Sequence, residues 1–239
     1  MKIGNMKKHI KFIILVLATF CSHLLYAYVG PPKDVKSTFR CFDNKDTDLE
    51  NLINIEGYYK ERILLKRSNV AGSFLNKDSV GLYADSGFIS IIFYKNGLFK
   101  YDFFRLKAAL LNENSEEAKS FYDGQWGSYS IDGDIIKTQF IYKPSKGELS
   151  KWKGTEIWYK VINRTTIKIV KIDALSTNTE DKNNVALHKK VHEERMKTLI
   201  VFVPSEIPNY LNAWILKENW FWCNENDRKS FLEKIKNEK

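Results

Sequence analysis

An all-β fold, an eight-stranded antiparallel up-and-down barrel followed by a C-terminal α-helix, is what this sequence predicts, and three observations predict it. Between Gly124 and Lys143 two alternating segments meet at Asp132-Gly133, a pair suited to a tight type I′ turn with positive φ at both central residues. Eight segments of strand length run in series from Glu56 to Val203, mostly as neighbours, and closing such a series leaves no exposed sheet edge. Behind them an aromatic stretch, Ser205 to Cys223, leads into an apolar stripe of helical spacing, Phe231, Leu232 and Ile235, with Asn224 or Asn226 as the helix cap.

Taken in order, Gly30-Pro31-Pro32 opens an extended arm, residues 28–48, without a periodic apolar face. The apolar turn Leu49 to Ile55 reads as a short helical plug before the first strand, Glu56 to Lys66. A connection rich in Gly, Ser, Asn and Asp, Ser68 to Gly87, precedes a hairpin of Phe88 to Lys95 and Leu98 to Arg105 around Asn96-Gly97. On its return strand Phe99, Tyr101 and Phe103 share one face and Lys100 and Asp102 the other, the alternation of a half-buried strand. Leu106 to Asp123 is a polar insertion with room for a short helix. Strands then follow at Gln125 to Ile131, Asp134 to Tyr142, Gly154 to Ile162, Thr166 to Ile172 and Lys197 to Val203, where Pro204 stops the last.

At 239 residues, 44% hydrophobic and 28% charged, the chain suits one globular domain, residues 49–239, plus an extension. The extension is a leader. Lys2, Lys7, Lys8 and Lys11 precede the apolar run Phe12 to Phe20, the basic and hydrophobic regions of a secretory signal, which predicts export to the periplasm or cell surface. Two ends compete: cleavage after Ala27, making residues 1–27 the signal peptide, or lipidation of Cys21, which would anchor the chain to the membrane. Either way Cys41 and Cys223 remain, and in an oxidising compartment they pair as a disulfide or pack as separate thiols. Four of the nine net positive charges belong to the leader, which has no acid, so the mature chain carries 9 − 4 = +5, with no basic stripe and no nucleic-acid signature.

The phrase Trp126-Gly127-x-Tyr129-x-Ile131-x-Gly133-Asp134-x-Ile136, with the order of leader, long first loop, hairpins and terminal helix, resembles the exported bacterial lipocalin-like, or calycin, barrels over residues 49–238. Where that family has Gly-x-Trp on its first strand this chain has Gly57-Tyr58-Tyr59, and its last strand lacks the arginine that packs over the tryptophan. The resemblance implies a small-ligand barrel.

No catalytic constellation accompanies it: there is no nucleophile elbow, phosphate loop or dinucleotide fingerprint, and no cofactor is expected. Asp132 and Asp134 are turn formers. His188 and His192 have the i, i+4 spacing of a zinc pair, but Lys189 stands where a metalloprotease needs Glu, and a solvated polar segment is the expectation. The inward set Phe99, Tyr101, Phe103, Phe140, Tyr142, Ile157 and Tyr159 either fills the barrel or lines a site for one small, largely apolar ligand. A different reading has the segment Trp214 to Trp222 dock a protein partner at the envelope, which would need an exposed apolar patch there.

Overall fold

A computed structural model describes residue 31 and residues 33–62, 88–103, 115–142, 152–175 and 182–237. The leader with Cys21 and the connection Ser68 to Gly87 lie outside these residues. Eight strands, β1 Gly57–Arg62, β2 Phe88–Phe93, β3 Leu98–Phe103, β4 Gln125–Asp132, β5 Ile135–Tyr142, β6 Lys153–Asn163, β7 Thr166–Ala174 and β8 Leu199–Pro204, pair antiparallel in chain order. β8 returns to β1, with Gly57 opposite Pro204 and Tyr59 opposite Phe202, so the sheet closes. Among the described residues four helices accompany it: α1 Lys33–Thr38, α2 Glu116–Tyr122, α3 Lys182–Lys197 and α4 Glu225–Asn237.

Tight turns gather at one end of the barrel. The central hairpin turns at Gly133 and Asp134, between the paired residues Asp132 and Ile135, and positive φ occurs only at Gly133 (59°). That is the pattern of a type II′ turn rather than the expected type I′: with the pair formed by Asp132, glycine takes the first central position and Asp134 needs no left-handed backbone. In the β2–β3 turn the amide of Gly97 donates to the Tyr94 carbonyl at 3.1 Å and Gly97 has φ 88°, a turn followed by a left-handed glycine. The short helical plug is present as a 3₁₀ turn, Leu49–Asn51, whose Leu49 is buried with Ile53 among the interior side chains. Arg164, in the β6–β7 turn, holds this plug by accepting from the Asn54 amide and donating to the Asn51 carbonyl.

Period-two alternation sorts the wall into two cores. Phe93, Phe99, Tyr129, Ile136 and Phe140 point inward, while Ile92, Leu98, Trp126 and Ile141 point outward. At the seam between β1 and β8 the Tyr59 and Phe202 rings pack 5.4 Å apart, with the Tyr59 hydroxyl donating to the Arg164 carbonyl at 2.9 Å.

The arm and the aromatic tail cover the outer wall. Residues 33–38 form α1 rather than continuing an extended arm, and Val35, Phe39 and Phe42 are buried against the tail and wall. Their apolar side chains, at positions i, i+4 and i+7, drive this docking. Phe42 stacks on Phe221 at 5.1 Å and meets Trp222 edge-on at 5.0 Å. Cys41 and Cys223 stand at disulfide distance beside them, Sγ to Sγ 2.05 Å, so the pairing alternative is the one observed.

β3 is buried on both faces, not one. Lys100 is fully buried on the outward side, 3.1 Å from Asp102 and over the rings of Phe121 (4.6 Å) and Trp126 (5.0 Å), because α2 and the start of β4 cover it. Reading polar residues as solvent-facing missed this non-local cover.

Candidate functional site

The barrel interior is graded along its axis. Near the turns Phe93 is surrounded by aromatic rings, Phe99 at 5.3 Å, Tyr129 at 5.5 Å, Tyr59 at 5.9 Å and Tyr159 at 6.2 Å, a packed apolar layer. Toward the opposite end, where the longer connections leave, Tyr101 stacks on Phe140 at 4.6 Å and the interior becomes polar.

Glu61 makes it so. It shares the inward parity of Tyr59 on β1 and is fully buried. Its partner comes from outside the sheet: α3 runs into β8, and from its last turn Arg195 reaches back over the wall, Nε donating to Glu61 Oε1, Nη2 to Oε2 at 2.9 Å and Nη2 to the Tyr101 hydroxyl at 2.6 Å. A two-point guanidinium–carboxylate pair fixes orientation as well as charge. Burial opposes the Arg195 charge, but the Glu61 bonds together with the electrostatic pull of Tyr101, Glu61 and Tyr159 outweigh it and raise its pKa, so the guanidinium stays charged. Nearby on β6 the Tyr159 hydroxyl is buried and has no hydrogen-bond partner among the described residues. Burial pushes its pKa well above the ordinary phenol value, with the neighbouring Tyr101 and the Glu61 charge adding to the effect.

The inward set is divided as follows. Phe99, Tyr101, Phe140, Ile157 and Tyr159 all belong to the interior cluster. Tyr142 ends β5, half-buried opposite Lys153, outside that cluster. Phe103 pairs with Ile89 in the ladder, and its side chain lies outside the described residues. Sequence reasoning missed Glu61 and Arg195, although the parity of Glu61 with Tyr59 was a signal for one of them.

Trp214 is buried and its indole N–H donates to the Gly124 carbonyl at 2.9 Å, and that of Trp222 to the Leu216 carbonyl at 3.0 Å. Trp220 packs edge-on to Phe39 at 5.7 Å and donates to Glu218. Trp214 and Trp222 are thus buried, while Trp220 is half-buried. His192 is half-buried on α3, the His188 side chain lies outside the described residues, and among the described residues no three His, Cys, Asp or Glu side chains gather to hold a metal. No helix among them is long and apolar enough to cross a membrane.

Two surface grooves lie away from this chemistry. One of about 800 Å³ runs outside the turn end beside Ile55, Tyr94, Lys95 and Tyr210, and one of about 420 Å³ flanks Cys41 and Cys223. Neither includes a buried ion pair or an unpartnered buried hydroxyl, so the candidate site is placed by the interior groups.

Five inward or covered tyrosines, Tyr59, Tyr94, Tyr101, Tyr129 and Tyr159, have phenols pushed up chiefly by burial. A folded pKa above the unfolded value of about 10 contributes stability that is present below that pH and lost as pH rises through it. Stability should therefore fall from about pH 10 upward. In an alkaline titration followed by tyrosinate absorbance, these five should ionise only together with unfolding, as read by circular dichroism.

Comparisons with protein-family models, with curated proteins and with solved structures gave no match to this chain.

Proposed function

We propose that this chain is an exported, non-catalytic lipocalin-like barrel of the bacterial envelope that holds one small, largely apolar ligand in the polar-ended half of its interior. The observation that carries the reading is the Arg195–Glu61–Tyr101 network inside the barrel, with the Tyr159 hydroxyl beside it. A buried ion pair adds little to stability compared with apolar side chains of the same volume, so a barrel serving only as a scaffold has little reason to build one. An apolar chamber with a few convergent polar groups is instead the usual form of a small-molecule site.

Export rests on the basic and apolar leader and is supported by the Cys41–Cys223 pair, which persists in oxidising compartments. Attachment to a membrane, if Cys21 is the processed residue, is through lipid alone, and nucleic acid is not a partner on this reading.

The test is to incubate purified protein with a bacterial lipid extract, repurify it and record native mass spectra. A small-molecule adduct at one per chain, released on denaturation, is the expected result. Recovery of ligand-free protein from extract and cells alike would refute the reading.

A further inference from the structure

The interior network is electrically neutral, and the hydroxyl beside it has no hydrogen-bond partner among the described residues; together these two features specify the head group of the ligand. Glu61 accepts through both carboxylate oxygens, and the Arg195 nitrogens that bind it also reach the Tyr101 hydroxyl. One positive and one negative charge therefore face each other, and the network carries no net charge. A carboxylate head would bring a second negative charge next to a fully buried Glu61, and an ammonium head a second positive charge next to Arg195. In a low-dielectric interior either like-charge encounter is strongly unfavourable.

A buried hydroxyl beside the network is available to a ligand. The Tyr159 hydroxyl is buried without a hydrogen-bond partner among the described residues, a condition that calls for a water or a ligand atom. It offers one donor and acceptor capacity, and burial keeps it protonated. Apolar side chains flank it on one side, Phe99 at 6.4 Å between ring centroids and Ile157 two residues earlier on the same strand face, with Tyr101 and the Glu61 charge on the other.

Resting on the interior-ligand reading above, we propose that the ligand carries an uncharged oxygen head group, a hydroxyl or carbonyl, which pairs with the Tyr159 hydroxyl while its apolar body lies along Phe99, Phe140 and Ile157. The class is a neutral lipid alcohol, aldehyde or ketone rather than a fatty acid or an organic amine.

Calorimetric titration of the full chain with decanol, decanoate and decylammonium at one ionic strength tests this. Decanol should bind at least about tenfold more tightly than either ion, and Tyr159→Phe should weaken decanol about tenfold, the loss of roughly one hydrogen bond, with little change for the ions. Tighter binding of decanoate would overturn the head-group assignment and leave an interior ligand standing. Equal decanol affinity in wild type and Tyr159→Phe would overturn the role of Tyr159, its partner then being water. If none of the three binds while the lipid extract still yields an adduct, the assignment falls alone; if the extract also yields none, the interior-ligand reading falls with it. The wild-type comparison among the three probes needs no variant to fold.

Discussion

Serine at both Cys41 and Cys223 should lower the free energy of unfolding by about 5 kcal/mol, because the bridge closes a loop across a sequence separation of 182 residues and the entropy of closing such a loop grows with its length. Against a typical domain stability of about 5–15 kcal/mol this is a large share. The bridge ties the arm to the tail around the outside of the barrel, next to the Phe42 amide bond to the Phe221 carbonyl at 2.7 Å and the Cys223 amide bond to the Phe42 carbonyl at 2.9 Å. Those amides should lose hydrogen-exchange protection first in the variant, while β4 to β6, strands of eight to eleven residues, keep theirs. Urea unfolding measures the total, and a loss below about 1 kcal/mol would show that the arm and tail stay docked in the unfolded ensemble or contribute little.

Glu61→Leu should destabilise the barrel by about 3–5 kcal/mol, since it leaves the Arg195 guanidinium inside the mouth with only Tyr101 as partner. Arg195→Met should cost a comparable amount by stranding the buried carboxylate. The two changes together should cost less than either alone, because an apolar pair of similar volume leaves no uncompensated charge. A double-mutant cycle in urea gives the coupling, and additive losses would mean that the two groups do not act as a pair. The same cycle reports on α3: this pair is its anchor to β1, so exchange protection of residues 191–197 should fall in both single variants.

All eight strands were legible in the sequence because each is an alternating segment or a short apolar run bounded by turn residues, and the β2–β3 and β4–β5 turns carry glycine where the backbone needs it. Strand ends were less so: the strand expected to start at Lys197 starts at Leu199, since α3 extends through Lys197. Phe99, Tyr101, Phe140, Ile157 and Tyr159 were placed inside by parity alone, and the fold keeps them there. What alternation could not show was which polar residues are also covered. Glu61 lies between the basic residues Lys60 and Arg62, yet it points inward, and Arg195 sits in a helix otherwise so polar that nothing marks one residue as reaching into the barrel. Lys100 was hidden for the same reason, because its cover comes from Phe121 of α2, outside its own hairpin, and Asp102 is its buried partner. The arm did carry a signal in the spacing of Val35, Phe39 and Phe42, which the neighbouring prolines and charges obscured.

The central claim, a ligand held inside the barrel beside Arg195 and Tyr159, is tested most directly by isoleucine methyl spectra during a titration with decanol. Ile89, Ile157, Ile169 and Ile200 lie inside, and Ile92, Ile141 and Ile215 lie on the covered outer wall. Shifts confined to the interior group are predicted. Shifts confined to the outer group, with the interior methyls unmoved at saturation, would contradict the claim.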